Sequence, residues 1–252
     1  MKKFIYLISC LALLGVSCSK DNYSEPEETF RGKFIDKETG EPFQTAIGNT
    51  GIRIRMMEYS WSDNPQPYDF YAKQDGTFQN TKVFAGEYGI TPSGAFVPLE
   101  EERIKIHGTV EKVYEVEPLL RVEWVGEPVE NSDGTVDVQV KVSRGTDNED
   151  YQQPLAEAWL FVSETNYVGD FSYSPNYSTK ISGTAISLVE FDKVYTIRTG
   201  QPGGYNPEGS FTPMPNYERK WFLRFGARTT MQFDGTNRYN YTPVKEITVH
   251  AR

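Results

Sequence analysis

The chain has 252 residues, and its 26 Lys and Arg side chains are outnumbered by 35 Asp and Glu side chains, which gives a formal net charge of −9 at pH 7. No basic cluster interrupts this acidic balance. Nucleic acid is therefore not expected as a partner, because binding it requires several Lys or Arg side chains on one face to neutralise phosphates.

The first residues predict an export signal that ends at a lipid attachment site. Two lysines precede an apolar stretch over residues 4–16, which is too short to span a bilayer and is typical of a signal peptide. Cys18 follows the small residues of the segment 15–17, a pattern that resembles the lipobox of bacterial lipoproteins. Gly15 stands where the lipobox usually has an aliphatic residue.

The expected organisation of this terminus is a signal peptide over residues 1–17, a lipid on Cys18, and a flexible acidic tether over residues 18–28. Two or more acyl chains hold a protein on a membrane stably, so we expect the membrane to be contacted through the lipid anchor only. The other cysteine, Cys10, leaves with the signal peptide. No thiol then remains for a disulfide or a catalytic nucleophile, and stability must come from packed cores.

Short strands separated by turns dominate the rest of the sequence. Val136, Val138, Val140 and Val142 alternate with polar residues, which indicates a strand with one buried face. The only helical signal is a short turn within residues 185–191. The predicted strands are 29–35, 52–57, 68–73, 86–90, 103–106, 113–116, 119–125, 136–142, 156–163, 194–199, 220–227 and 244–250.

This pattern predicts an all-β protein made of two β-sandwich domains. The strand at 119–125 is interpreted as the last of the first domain, and the valine alternation as the opening of the second. The expected boundary falls within residues 122–128, which gives an N-terminal sandwich over residues 29–124 and a C-terminal sandwich over residues 125–252.

Several segments resemble a known family. Residues 32–42, 75–78 and 84–88 are similar to the signatures of the transthyretin-like, or carboxypeptidase-regulatory-like, sandwich. Together with residues 221–228 and 238–241, they make the chain resemble the Bacteroides-type lipoproteins of domain-of-unknown-function family 3823. The second domain is expected to be an immunoglobulin- or fibronectin-like sandwich.

The resemblance also implies a setting for the protein. Such lipoproteins are typically encoded beside an outer-membrane glycan importer and its lipoprotein partner. The implied partners are a polysaccharide or oligosaccharide and that importer system. The implied location is the outer membrane, with the lipid-anchored chain facing the cell exterior.

Catalytic and metal sites have weak signals. His107 and His250 are the only histidines, and no Gly-x-Ser-x-Gly nucleophile elbow is present. The acidic segment 147–150 offers oxygen ligands for calcium but lacks the EF-hand spacing, so neither a metal nor another cofactor is expected. The sequence leaves open a pair of carboxylates of the kind that glycoside hydrolases use.

Loop aromatics carry the functional signal, because sugar rings stack their C–H faces on aromatic rings while polar neighbours bind the hydroxyls. Trp61 is the leading candidate in a loop with two prolines. Tyr59, Tyr68, Asn64 and Asp69 accompany it as candidate ligand-binding residues. The competing interpretation, that Trp61 and Tyr68 only pack this loop onto the sandwich, is equally supported.

A second candidate set lies in the C-terminal domain and contains Tyr167, Tyr173 and Tyr177. For this set a packing role is favoured over ligand binding, since tyrosines often anchor long loops. The other tryptophans, Trp124, Trp159 and Trp221, lie in apolar strands and are expected in the core.

The sequence thus predicts a surface lipoprotein that binds a glycan without catalysing a reaction. One alternative is a protein that docks a partner protein through the same aromatics or through strand edges. A less favoured alternative is a glycoside hydrolase.

The anchor can be tested by fractionating cells that express Cys18→Ala. The variant is expected to leave the membrane fraction, because the acyl chains lose their attachment site. Cys10→Ala is the matched control and is expected to stay in that fraction. Membrane retention of Cys18→Ala at the wild-type level would show that the anchor prediction is wrong.

Overall fold

The structure is a computed structural model that describes residues 25–252. The predicted signal peptide, Cys18 and most of the tether lie outside the described residues. Within residues 25–252, no helix combines the length and the apolar character needed to cross a bilayer.

Seven strands form the N-terminal part, and three short 3-10 helices are the helical elements of the described chain. The strands are β1 (Glu28–Asp36), β2 (Arg53–Glu58), β3 (Pro67–Tyr71), β4 (Thr77–Val83), β5 (Gly86–Ser93), β6 (Glu102–Ile106) and β7 (Thr109–Val116). The 3-10 helices are Gly48–Thr50, Glu149–Tyr151 and Gly183–Leu188. The last of these lies where the sequence predicted a helical turn.

These strands form the first sandwich from two sheets, ordered β4-β1-β7 and β3-β2-β5-β6. Strands β1 and β7 pair in parallel, and the other pairs are antiparallel. Alternate side chains of each sheet point into a shared core. Phe30 and Phe34 of β1 meet Ile54 and Met56 of β2 there, and all four side chains are buried.

The C-terminal part forms a second sandwich. Its strands are β8 (Leu120–Trp124), β9 (Val129–Glu130), β10 (Val136–Arg144), β11 (Leu155–Ser163), β12 (Thr179–Ser182), β13 (Val194–Arg198), β14 (Arg219–Thr229), β15 (Gln232–Phe233), β16 (Thr236–Asn237), β17 (Asn240–Tyr241) and β18 (Lys245–Val249). One sheet is ordered β13-β10-β8, with β9 also on β10. The other is ordered β12-β11-β14-β17, with β18 also on β14, and β15 and β16 form a separate hairpin.

The all-β prediction with sandwich packing is therefore confirmed. The alternating valines of β10 face the core, as predicted, and pack with Leu160 and Leu223 of the opposite sheet. Six strands, β4, β9, β12, β15, β16 and β17, were not among the predicted ones. Five of them have only two to four residues, and β4 is mostly polar, so local pattern alone did not distinguish them from loops.

Strand β8 corrects the predicted domain boundary. The sequence analysis assigned residues 119–125 to the first sandwich, but β8 pairs antiparallel with β10, where Val122 lies opposite Val142. Leu120 and Val122 are buried in the second core. The predicted end of the first sandwich at residue 124 is therefore wrong, because the sequence pattern identifies a strand and not its partner.

The predicted tryptophan core is only partly correct. Trp221 is buried in the second core, whereas Trp124 and Trp159 are half-buried. Trp124 lies at the rim of that core and donates from Nε1 to the Pro243 carbonyl at 2.7 Å. Trp159 lies on the outer face of its sheet, where its ring is 4.9 Å from that of Tyr173.

Strands β11 and β14 carry apolar side chains on both faces of the sheet, so the outer face must also be covered by other residues. Phe161, Tyr239 and Tyr241 form a third cluster there, and Ala46 of the first sandwich packs against it. Gly226 of β14 permits the close approach, since a Cβ at this position would lie 2.9 Å from the Tyr241 ring. The two sandwiches therefore share a packed contact.

Arg224 of β14 lies in this contact and is fully buried. Its Nε donates to the Thr242 carbonyl at 3.0 Å, its Nη1 to the Val168 carbonyl at 3.3 Å, and its Nη2 to the Gln74 carbonyl at 3.0 Å. The guanidinium also lies 4.3 Å from the centroid of the Tyr241 ring. Burial lowers the pKa of Arg224 to about 10. One side chain thus bonds the first sandwich, at Gln74, to two segments of the second.

Replacing this side chain with an apolar one of similar length tests its contribution to the stability of the fold. Arg224→Met is expected to lower the free energy of unfolding by about 3 kcal/mol, because it leaves buried carbonyls without donors. Lys220→Met is the matched control on the same strand, where an exposed ion pair with Glu246 is worth about 0–1 kcal/mol. Urea denaturation measures both. Equal losses in the two variants would contradict the role given to Arg224.

Candidate functional site

The predicted aromatic loop, residues 59–66, connects β2 to β3. Trp61 is 74% exposed, and its Nε1 donates to Glu58 Oε1 at 3.0 Å. Tyr59 packs against the sheet, with the Arg103 guanidinium carbon 3.2 Å from its ring centroid. Asn64 is exposed, and its backbone N–H donates to Ser62 Oγ at 3.1 Å.

Tyr68 and Asp69 point to opposite faces of their sheet, as neighbours on a strand must. Tyr68 lies opposite buried Met56 in the strand register, is 54% exposed, and stacks with Phe70 at 6.3 Å between ring centroids. Asp69 lies on the outer face, opposite Arg55. The predicted set is therefore divided. None of its members lines the groove described below, but Asp69 pairs with the groove residue Arg55, and the Tyr59 hydroxyl donates to the groove residue Glu101 at 3.3 Å.

The second predicted set serves mainly as packing. The Tyr173 ring lies edge-on to Trp159, and the Tyr177 ring lies edge-on to core Trp221 at 5.2 Å. These two tyrosines pack the long loop before β12 onto the second sandwich, which is the role that the sequence favoured for this set. Tyr167 is 56% exposed at the surface of the same loop.

A groove of about 460 Å³ runs along the outer face of the sheet β3-β2-β5-β6. We call it the outer-sheet groove. Its lining residues are Arg53, Arg55, Met57, Pro67, Thr91, Pro92, Ser93, Gly94, Phe96, Pro98, Leu99, Glu101, Phe233 and Asp234. Phe233 and Asp234 come from the β15–β16 hairpin, so both sandwiches contribute to the groove.

Strand alternation positions the floor of the groove. Arg53, Arg55 and Met57 of β2 alternate with buried Ile54 and Met56, so the first three point away from the core. Thr91 and Ser93 of β5 lie directly opposite Arg55 and Arg53 in the register. The groove therefore presents guanidinium and hydroxyl groups in neighbouring rows.

Ion pairs fix these charged groups in place. Arg55 donates to both carboxylate oxygens of Asp69, at 2.9 and 2.8 Å. The hydrogen bonds from Arg55 lower the pKa of Asp69, against the opposing effect of burial. Arg53 Nη2 lies 2.5 Å from Asp234 Oδ2, and at the other end of the groove Arg103 Nε lies 2.9 Å from Glu101 Oε1.

The hairpin that closes one side has a turn typical of two-residue β-hairpins. Asp234 and Gly235 both have positive φ, at 52° and 71°, the backbone that Asp-Gly favours in such turns. The Asp-Gly pair could have predicted the hairpin. Its contact with Arg53, 181 residues away in sequence, has no local signal.

The comparisons with known proteins identify the family. Residues 28–117 match the family described as protein of unknown function (DUF3823), N-terminal domain. The structure of a DUF3823 protein from Bacteroides uniformis is 32% identical to this chain, with a TM-score of 0.76, and the match covers 90% of this chain and 100% of that one. The chain belongs to the DUF3823 family. The family prediction is confirmed.

Two further structures share the fold of this DUF3823 protein. One, from Bacteroides uniformis, is described as a candidate carbohydrate-binding protein; it is 21% identical, with a TM-score of 0.69, over 89% of this chain and 100% of that one. The other is a DUF3823 protein from Parabacteroides merdae, 16% identical, with a TM-score of 0.62 over 89% and 100% of the two chains. No curated protein matches the chain.

The DUF3823 chain carries a second polar cluster on the outer face of the sheet β12-β11-β14-β17. Glu157 accepts hydrogen bonds there from Arg228 at 3.1 Å and from the Tyr239 hydroxyl, and Lys180 lies 2.9 Å from its carboxylate. Burial by itself would raise the pKa of Glu157. The hydrogen bonds from its three partners outweigh burial and lower that pKa to about 2.

This shift makes the stability of the DUF3823 protein sensitive to acid. The pKa of Glu157 is lower in the folded than in the unfolded state, so its stabilising contribution is present above about pH 4.5 and is lost as pH falls towards 2. Glu157→Gln is expected to lower the free energy of unfolding at pH 7. Between pH 4.5 and 2 the variant is expected to lose less of that free energy than the wild type does. Denaturation at a series of pH values measures this, with exposed Glu246→Gln as control. Parallel wild-type and Glu157→Gln curves would contradict the assignment.

Proposed function

We propose that this DUF3823 protein binds an oligosaccharide or polysaccharide in the outer-sheet groove. The observation that carries the proposal is the composition of the groove, where apolar surface lies beside fixed hydrogen-bonding groups. Met57, Leu99 and Phe233 supply apolar area for the C–H faces of sugar rings. The arginines, carboxylates and hydroxyls of the same groove suit sugar hydroxyls.

Preorganisation supports the same proposal. Arg55 and Asp69 hold one another through two hydrogen bonds. Side chains that are already fixed lose less conformational entropy when a ligand binds. The fold neighbour from Bacteroides uniformis that is described as a candidate carbohydrate-binding protein adds support from a relative.

The proposed binding involves no chemical reaction. A glycoside hydrolase needs a carboxylic acid whose pKa is raised so that it can donate a proton. Beside the outer-sheet groove the pKa of Asp69, the partner of Arg55, is lowered instead, and the groove carboxylates of Asp234 and Glu101 are paired with arginines. These pairings favour binding over hydrolysis.

The proposed location is the outer surface of the outer membrane, where a lipid on Cys18 would hold the sandwiches beside a glycan importer and its lipoprotein partner. The support for this part is the pattern of residues 15–18 and the family resemblance of the chain.

Phe233→Ala tests the groove directly. The variant is expected to bind its glycan about ten- to a hundred-fold more weakly, since a ring that stacks on a ligand is worth about 1–3 kcal/mol by analogy with base stacking. Calorimetric titration with a glycan found in a polysaccharide panel measures the affinity, and thermal melting verifies folding.

Two other aromatic substitutions make the result specific. Phe84→Ala removes an exposed phenylalanine outside the groove and is expected to leave affinity unchanged. Trp61→Ala tests the exposed loop that the sequence favoured. Loss of affinity in Trp61→Ala, with Phe233→Ala binding normally, would move the site from the groove to the loop of residues 59–66.

A further inference from the structure

Arg53, which lines the hairpin end of the outer-sheet groove, and Arg238, which lies beside it, each have an unsatisfied donor. The Nε atoms of Arg53 and Arg238 are both buried and have no hydrogen-bond partner. Arg238 is only 5% exposed, and its Nη1 donates to the groove residue Ser93 at 2.9 Å. Buried donors are nearly always satisfied in folded proteins, so these two guanidinium groups lack part of their usual compensation.

The local charge balance is positive although the chain is acidic overall. Arg53, Arg55 and Arg238 meet at this end with only Asp69 and Asp234. Asp69 accepts hydrogen bonds from Nε and Nη2 of Arg55, and its Oδ2 lies 3.9 Å from Arg53 Nε. At the far end of the groove its lining residue Glu101 pairs with Arg103, which also lies 3.9 Å from Glu87.

Arg238 is the least compensated of the three guanidinium groups. Burial lowers the pKa of Arg238, and the neighbouring positive charge of Arg53 lowers it further. A bound anion would oppose both effects, because it would offset the repulsion between two like charges in a place with little water.

Asp234 shows where such an anion would bind. Its carboxylate reaches Arg53 from the tip of the two-residue β15–β16 turn, and its side chain is 56% exposed. A carboxylate on an exposed turn can move aside at little cost. A carboxylate or sulfate of a ligand could then take its position on the guanidinium, since arginine binds such groups in a fork geometry.

We propose that the outer-sheet groove selects acidic sugars, whose carboxylate or sulfate replaces Asp234 at Arg53 and offsets the buried positive charge of the neighbouring Arg238. This inference rests on the proposed function and specifies its ligand class. The apolar floor contacts the sugar ring, and the arginine end binds its anionic substituent.

A glycan panel and calorimetric titration test the ligand class on the lipid-free chain. The probes are oligogalacturonate, a sulfated galactan oligosaccharide, and neutral galacto-, xylo- and manno-oligosaccharides. The acidic probes are expected to bind, and carboxyl reduction or desulfation of the bound probe is expected to weaken binding at least about tenfold. The two acidic arms distinguish a carboxylate ligand from a sulfate ligand.

Two substitutions of opposite effect locate the anion. Arg53→Gln is expected to weaken binding of the acidic probe about ten- to a hundred-fold. Asp234→Asn removes the competing carboxylate and is expected to tighten binding of the acidic probe about three- to tenfold. Arg31→Gln, an exposed ion-paired arginine on the other sheet, is the control and is expected to change nothing. A gain of affinity in Asp234→Asn cannot result from misfolding.

The outcomes separate the two proposals. Neutral probes that bind as tightly as acidic ones, with affinity lost in Phe233→Ala, would overturn the acidic-sugar inference and leave carbohydrate binding in the groove intact. Unchanged or weaker binding of the acidic probe to Asp234→Asn would also overturn the inference. If no probe of either class binds, the proposed function and the inference are both wrong.

Discussion

The position of the two sandwiches depends on one buried cation, the Arg224 guanidinium. It bonds three backbone carbonyls that come from distant segments, at Gln74, Val168 and Thr242. A guanidinium suits this task because it carries five N–H donors in a rigid plane and stays charged when buried. Its lowered pKa of about 10 reflects the cost of that burial. The hydrogen bonds to the three carbonyls offset this cost, and all three form together only when the two sandwiches are in this relative position.

The shape of the outer-sheet groove depends on how the two sandwiches are placed, because both of them line it. Its floor belongs to the sheet of the first sandwich, and its side belongs to the β15–β16 hairpin of the second. The chain leaves that hairpin through Arg238, which donates to Ser93 of the first sandwich. It then enters β17, where the Asn240 amide donates to the Ala95 carbonyl at 2.9 Å and accepts from the Leu120 N–H at 3.1 Å. Polar contacts thus hold the hairpin over the sheet from several sides.

Aromatic residues make up 14% of the chain, and the structure separates their roles by what surrounds each ring. Most of those named above pack against other rings or under cations, as Tyr59 does under Arg103 and Tyr241 does beside Arg224. Rings on loops are anchored in the same way, as Tyr177 shows at Trp221. A tyrosine in a polar loop is therefore weak evidence for a ligand platform, since one ring can pack by its face and satisfy its hydroxyl at the rim. The groove depends more on paired charges than on exposed rings.

The sequence by itself determined the strand character of most segments, the sandwich class and the family, because alternation of apolar residues and turn signatures are local properties. The tertiary structure decided which strands pair and what the outward faces meet. β8 joined the second sandwich although its pattern fitted either one, since alternation specifies a buried face and not a partner strand. None of the predicted ligand residues lines the groove, because Arg53 and Asp234 meet across 181 residues through the packing of two sandwiches. No local pattern encodes a contact of that kind.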